Sequence, residues 1–420
     1  MKALAALLTA HAVSLTGNMM MIIALPLYVL NRTGSASATG TAGVFVTLPV
    51  VFGGLFGGVV VDRYGYRRSS VVADLTAGTV IAGVPLLGHT IGLPLQVLFA
   101  LVFVSGLVDS PGQNARTAML PEIAAAAGVP VERAMGWFEV SERGARLLGA
   151  PLAGLLVAGF GSLDVLAVDA GSFLLSAALI GFVVPRPLRT GGSPGAPETR
   201  KREGRPGSPL SDYFQQLRDG FAFAGRERLL RAVVLMVVVT NFLDAAFLMV
   251  LLPVYSDRDL GGAVSFGLLV GAGGGGALIG SLIFGLIGDR LPRRPTFIVA
   301  FTLAGGPFYL ALAAGLPLPV LVGLKALTGL GAGVVNPIIG VVMLERIPNG
   351  LRARVFGLVN AGCWAGMPLG SLLGGAAING LGLTRTLLLT GTGYLAVTLS
   401  PLRGGPWRSM DRRAFEPAQC

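Results

Sequence analysis

The chain puts ionisable side chains where a membrane tolerates them least. Asp74, Asp109, Asp169, Asp244 and Lys325 each stand in long apolar stretches. A charge at mid-bilayer costs ~2.5–3.5 kcal/mol on insertion scales, so each needs a partner, a watery cavity or a task. A carboxyl in such a place can take up and release a proton, and a lysine can hold an anionic group. A second kind of cluster sits at the edges of the apolar stretches. GVVVDRYGYRR, Gly58–Arg68, crowds Asp62, Arg63, Arg67 and Arg68 together, and GLIGDRLPRR, Gly285–Arg294, repeats the phrase with Asp289, Arg290, Arg293 and Arg294. No P-loop, HExxH, paired CxxC or GxSxG occurs, so neither ATP-driven transport nor familiar hydrolase chemistry has support, and no cofactor or metal is expected.

Depth along a helix ranks the buried charges. Asp244 lies ~20 Å from the inner end of its helix by the helical rise, with Asn241 one turn before it. It is the first candidate for a proton-titrating or cation-facing acid, against a structural reading in which hydroxyls or amides cap it inside the bundle. Asp109 and Asp169 are further proton-coupling candidates. Asp109 and Arg116 share one helix face, two turns apart, and read as part of a cytoplasmic charge network with Asp74, Glu139, Glu142, Arg143 and Arg146. Within it Glu139–Arg143 and Glu142–Arg146 have helix-pair spacing. Asp169 and Lys325 sit at similar depth near the outer surface and could pair; alternatively Lys325 could repel cations or bind an anion. Asn18, Met21, Asn241 and Lys325 are the substrate-cavity candidates, because a few polar groups beside adaptable methionines suit a promiscuous apolar pocket. Methionine is also ordinary filler on a lipid-facing or core face.

These residues need helices to hold them, and the composition says of what kind. Of the 420 residues, 53% are apolar and 13% charged, where a soluble domain has about 25% charged. Val44–Val61, Leu75–Phe103, Leu147–Ser162, Leu260–Gly288 and Pro295–Leu324 carry no charge. A helix needs ~20 apolar residues to cross the hydrocarbon, and the chain parses into about twelve such spans. Their approximate centres are Met20, Phe52, Val80, Val104, Leu155, Ser176, Asn241, Ala277, Leu303, Gly331, Pro368 and Gly391. The first apolar run continues from Met1 through Leu30 with no small-residue cleavage site, so it reads as a membrane helix, not as a signal peptide. Cys363 within a span and Cys420 beyond the last one predict no disulfide.

The net charge of +11 does not point to nucleic acid. With a cytoplasmic N-terminus, nearly all of the 32 Lys and Arg residues fall on the cytoplasmic side; Arg32, Arg258 and Arg385 lie outside and Lys325 within a span. This positive-inside bias orients the chain in a plasma membrane with both termini cytoplasmic.

The spans divide into halves. Residues 1–185 form an N-terminal six-helix bundle, 186–228 a cytoplasmic linker, 229–402 a C-terminal six-helix bundle and 403–420 a cytoplasmic tail. The linker begins Pro- and Gly-rich, then places Leu210, Phe214, Leu217, Phe221 and Ala224 at helical spacing, as an amphipathic helix on the inner leaflet or packed on protein. GAPLAG at Gly149–Gly154 has its counterpart in GMPLGS at Gly366–Ser371. Internal duplication of this kind builds many transporters, with the substrate site near the midplane between the repeats.

The duplicated loop also carries a family resemblance. Gly58, Asp62, Arg63, Gly65, Arg67 and Arg68 match the loop between helices two and three of the major facilitator superfamily; the second copy keeps Gly285, Asp289, Arg290, Arg293 and Arg294. Pro292 replaces the turn glycine and the second loop is one residue shorter, so its turn differs. Asp109–Gly136 and the segment from Arg352 onward resemble the macrolide-efflux-like drug exporters of that superfamily. The family's helix-five antiporter signature, Gly-Pro then Gly-Gly, is replaced by Ala150-Pro151-Leu152-Ala153-Gly154, and the basic residue of helix four by Val102; Lys325 stands at the equivalent point of helix ten. The resemblance implies a monomeric, twelve-helix, all-α membrane protein of two pseudo-symmetric bundles, with the loop cluster latching the cytoplasmic side in the outward-facing state. It implies proton-driven export of an apolar or amphipathic molecule. The alternatives are a siderophore or lysolipid exporter and a non-transporting membrane sensor or assembly partner. The partners expected are a small-molecule substrate, protons and the lipid bilayer.

Overall fold

A computed structural model describes residues 1–185, 225, 227–347, 359 and 362–410; the side chains of 54–60, 62 and 63 lie outside that description. The linker with its expected amphipathic helix, the segment 348–358 and the tail from 411 also lie outside it.

The described chain is helical, and each expected span centre falls within a helix. The first half comprises α1 (Lys2–Thr33), α2 (Ala36–Tyr64), α3 (Tyr66–Thr90), α4 (Leu95–Ala126), α5 (Val131–Phe160) and α6 (Ser162–Val183). The second comprises α7 (Arg228–Asp259), α8 (Ala263–Ile287), α9 (Arg293–Ala313), α10 (Leu318–Arg346), α11 (Met367–Leu381) and α12 (Leu383–Thr398). Nine of the described helices are long and apolar enough to cross a bilayer. α11 and α12 are shorter, at 15 and 16 residues, and α5 carries the Glu–Arg pairs at its charged end.

Local chemistry sets the boundaries. Gly34 takes a left-handed conformation and returns its N–H to Leu30, ending α1; Ser35 then caps α2 by accepting from the Ala38 N–H at 3.2 Å. Gly65, at φ 81°, makes the tight turn between α2 and α3. The second loop lacks that glycine and does differ. α8 ends in a 3₁₀ turn, Gly288–Arg290, and Leu291 and Pro292 run extended into α9.

Some helices are irregular near buried charges. α7 passes through a π-helical turn at Phe247–Leu251, just after Asp244, and such turns gather at functional sites. α9 breaks at Gly305, between Arg293–Ala304 and Gly306–Ala313. The second piece carries Phe308 and Tyr309.

The halves meet along α5 with α8 and along α2 with α11. Both crossings are backbone on backbone, and glycine allows the approach. A Cβ at Gly154 would lie 2.5 Å from the Ala263 carbonyl oxygen, and one at Gly267 2.5 Å from that of Ala150. Gly40 and Gly375 do the same against Ser371 and Ala36. All four lie toward the face where α2 begins and α5 ends. There Asn379 donates across the seam to Ser37 Oγ at 2.7 Å. At the opposite, basic face, a Cβ at Gly136, Gly144 or Gly285 would meet nothing within 4 Å. Along α5 and α8 the close approach runs from Gly154 and Gly267 as far as Leu147 and Gly274.

Candidate functional site

Each bundle buries its own polar cluster. In the first, α4 presents Asp109, Gln113 and Arg116 on one face, because four- and seven-residue spacings stack on a helix. Arg116 is fully buried. It donates to both carboxylate oxygens of Asp74 on α3, at 2.7 and 2.9 Å, and to Ser14 Oγ on α1 at 3.2 Å. Ser176 on α6 donates to Asp74 Oδ2 at 2.7 Å. Asp109 Oδ1 lies 3.6 Å from Arg116, while its Oδ2 accepts from Asn18 at 3.0 Å and Gln113 at 2.6 Å. One guanidinium thus ties four helices together, and Asp109 has a cation on one side and amides on the other.

Asp169, in the same bundle, differs. It is fully buried on α6 against Gly17 of α1, and neither carboxylate oxygen has a hydrogen-bond partner among the described residues. The anticipated pairing with Lys325 is not formed, because the two belong to different bundles. His11 stacks on Phe138 at 3.9 Å between ring centroids, with both ring nitrogens unpartnered among the described residues.

The second bundle holds a half-buried acid and a half-buried base without a direct ion pair between them among the described residues. Tyr309 donates its hydroxyl to Asp244 Oδ1. Phe247, on the π turn, lies 4.4 Å from the Tyr309 ring, and Tyr394 packs edge-on to Tyr309 at 5.6 Å. The Lys325 ammonium lies over the faces of Phe247 and Phe308, at 5.0 and 4.7 Å from their centroids. Such cation–π contacts offset part of the cost of burying an ammonium. Asp244 and Lys325 are therefore joined through aromatic rings.

Asn241, one turn before Asp244, lines a cavity of about 570 Å³ with Val237, Asn336, Met343, Cys363 and Trp364. Its side-chain amide donates to the Cys363 carbonyl at 2.9 Å. The cavity is largely apolar, with few polar groups, the usual make-up of a small-molecule pocket. Met21 is buried in the shared apolar core and faces no described cavity.

The loop residues divide by task. The side chains of Asp62 and Arg63, and Gly58, lie outside the described side chains. Arg67 donates to the carbonyls of Val184, at 2.8 Å, and Gly181 at the end of α6. Arg294 does the same after α12, donating to Pro401 at 2.6 Å. Arg293 makes a forked pair with Glu345 on α10, at 2.6 and 2.8 Å. These three arginines bind within their own bundles; no described contact carries them across the seam. Arg68 and Asp289 stand exposed at the basic face, as do Arg290 and Gly285. The anticipated Glu139–Arg143 and Glu142–Arg146 pairs are present, at 3.3 and 2.9 Å.

Sequence reasoning missed Tyr309, Tyr394, Ser14, Ser176, Glu345 and Asn336. The one available signal was polarity within apolar helices: each is a hydroxyl, amide or acid in such a run.

Two pseudo-equivalent helical bundles, polar clusters inside them and a seam closed at one face define a membrane transporter. The profile of the Major Facilitator Superfamily matches residues 7–261 and 234–404. The chain belongs to that superfamily. It is 32% identical over 418 residues to the multidrug efflux pump Tap of Mycobacterium tuberculosis, covering 97% of this chain and 96% of that one. It is 22% identical to macrolide efflux protein A of Streptococcus pyogenes, over 93% and 92% of the two chains. Among solved structures, the nucleoside transporter NupG superposes with a TM-score of 0.71 at 14% identity, over 98% of this chain and 99% of that one. This last likeness concerns the fold alone. The comparisons set aside the reading as a non-transporting sensor.

Proposed function

We propose that the chain exports apolar or amphipathic small molecules, drugs or secondary metabolites, across a plasma membrane by alternating access, in exchange for protons. The basic face is cytoplasmic, both termini lie there, and the transporter works as a monomer. The observation that carries the reading is the seam. α5 and α8 touch through Gly154 and Gly267 at one face, and a Cβ at Gly144 or Gly285, toward the other, would meet nothing within 4 Å; a seam tight at one face suits a rocking pair of bundles with a cavity open to the cytoplasm. The full-length likeness to an efflux pump supports the direction and the substrate class.

Asp244 is the coupling acid in this reading. It is placed where a proton would change its partnership with Tyr309, and where the π turn gives α7 a soft point. A proton shifts the conformational balance only if the two states bind it differently, and a hydroxyl partner that reorients supplies such a difference. Asp109 and Asp169 are secondary candidates. Asn18, Asn241 and the Trp364 wall present the polar and aromatic groups that meet the substrate, and Lys325 contributes the local field. The loop arginines, freed from their carbonyls, latch the cytoplasmic face when the cavity opens outward.

The test is efflux of a macrolide from proteoliposomes under an imposed pH gradient. Wild type should export, with the rate collapsing when the gradient is dissipated. Export by Asp244→Asn at the normal rate would remove Asp244 from the mechanism. Export by wild type with no gradient would remove proton coupling altogether.

A further inference from the structure

Both loop motifs shelter a groove, and the described side chains at the two mouths differ. In the first bundle a groove of about 520 Å³ is lined by Tyr64, Arg68, Ser69, Val72, Leu107 and Pro111, among others. It runs from the basic end of α3 up between α3 and α4. Val72 and Leu107 are exposed apolar side chains, as suits a wall that faces lipid. At its mouth Arg68 has no hydrogen bond or ion pair among the described residues. Ser69, 8% exposed, has a hydroxyl without a partner among them. A buried hydroxyl without a partner is costly unless something else supplies one.

The second bundle has the equivalent groove, about 780 Å³, between the end of α8, the start of α9 and α10. Its mouth holds Asp289 and Arg293, and Arg293 is already forked onto Glu345. Thr296 there returns its hydroxyl to the Pro292 carbonyl at 2.7 Å. Among the described residues, the first mouth therefore carries a cation and a hydroxyl without partners, and the second a forked arginine and a satisfied threonine beside Asp289.

We propose that the α3–α4 groove binds an anionic phospholipid of the cytoplasmic leaflet. Its headgroup phosphate lies on Arg68 and the Ser69 hydroxyl, and one acyl chain lies along Val72, Leu107 and Pro111. The commitment to a lipid rests on charge complementarity at the mouth and on the apolar walls behind it. An exposed arginine at the inner surface attracts anionic headgroups, and a free phosphate would leave those walls uncovered. The choice of leaflet rests on the orientation proposed above; the binding itself does not. The α8–α9 groove, whose Arg293 is already forked onto Glu345, does not select an anionic lipid. Lipid bound beside the first loop would hold Arg68 in place when the loop has to latch, making transport sensitive to headgroup composition.

The experiment is native mass spectrometry of the delipidated full chain titrated with phosphatidylglycerol or phosphatidylethanolamine. The binding readout needs no transport, so it separates this proposal from the exporter reading. The wild type should retain phosphatidylglycerol in preference to phosphatidylethanolamine. Arg68→Gln should weaken phosphatidylglycerol binding about fivefold, the effect of one interfacial cation, and weaken phosphatidylethanolamine less, because its ammonium already offsets the phosphate charge. Val72→Trp, which fills the groove and keeps Arg68, should weaken both lipids; Arg290→Gln, in the second loop, should weaken neither. If Arg68→Gln does not fold, Val72→Trp decides alone, and unchanged phosphatidylglycerol binding overturns the proposal. Equal retention of the two lipids by wild type, or competition by glycerol phosphate as effective as by the lipid, also overturns it. A dimer lost on Val72→Trp assigns the groove to a second copy and overturns it as well.

Discussion

The two bundles share one plan but spend their buried charges differently. In the first, Arg116 is held from several sides: both oxygens of Asp74 and the Ser14 hydroxyl accept from it, Asp109 lies 3.6 Å away, and Ser176 donates to Asp74, while the Arg116 Nε has no hydrogen-bond partner among the described residues. In the second, Asp244 has a tyrosine and Lys325 has two aromatic faces. A charge locked in a multi-helix knot cannot change state without breaking the knot. A charge held by one hydroxyl or by ring faces can. In the proposed mechanism the Arg116–Asp74 knot is architectural and the Asp244 cluster switches.

The largest test of that contrast is in stability. Arg116→Ala strands Asp74 in the bundle interior. Removing one partner of a buried pair costs about 3–5 kcal/mol, so this variant should show a large fall in thermal midpoint in detergent, or fail to accumulate. Lys325→Met replaces an ammonium that has no direct acid partner among the described residues, and should leave the midpoint near that of the wild type. Equal losses would erase the distinction between the clusters.

The next effect is on transport. Asp244→Asn should keep the fold and lower gradient-driven efflux roughly 5- to 150-fold, the range of ordinary coupling free energies. Tyr309→Phe should shift the pH dependence of efflux and leave the protein folded. If Asp109→Asn alone abolishes coupling and Asp244→Asn does not, the switching site belongs to the first bundle.

A middle effect concerns the seam. Gly154→Val puts side-chain atoms where the Ala263 carbonyl already lies, and overpacking of this kind costs typically ~1–3 kcal/mol. The penalty falls only on the state in which that face is closed. The variant should therefore favour the opposite state, read as increased labelling of a cysteine placed at Ser37. The smallest effect compares the two loops. Arg67→Gln and Arg294→Gln each remove carbonyl contacts at the end of a helix and should cost similar amounts, ~1 kcal/mol for partly exposed groups. A difference of several-fold would show that the loops are not equivalent in structure.

Much of this architecture is legible in the sequence. Hydropathy places the spans because each must hide its backbone from lipid, and that constraint is local. The Glu139–Arg143 and Glu142–Arg146 pairs are legible for the same reason, being one helical turn apart. Gly65 and Pro292 foretell two different turns. What sequence does not carry is rotation and long-range pairing. Asp169 and Lys325 share a depth, which sequence gives, but not a bundle interior. Asp74 and Arg116 both belong to a charge network, yet nothing in the chain says that they bind each other across α3 and α4. Tyr309 is 65 residues from Asp244, and it reaches that acid through side-chain contacts beside Phe247 of α7. The π turn at Phe247–Leu251 and the break at Gly305 have no periodic signature at all.

The central claim is that the bundles rock about a seam tight at one face. Spin labels at Gly144→Cys on α5 and Gly285→Cys on α8, in a background lacking Cys363 and Cys420, measure the opposite face directly by double electron–electron resonance. The account predicts two distance populations, with the shorter growing as the pH gradient or substrate drives the protein toward its outward-open state, and with Asp244→Asn losing the pH response. A single distance, unmoved by pH, substrate or Asp244→Asn, would contradict it.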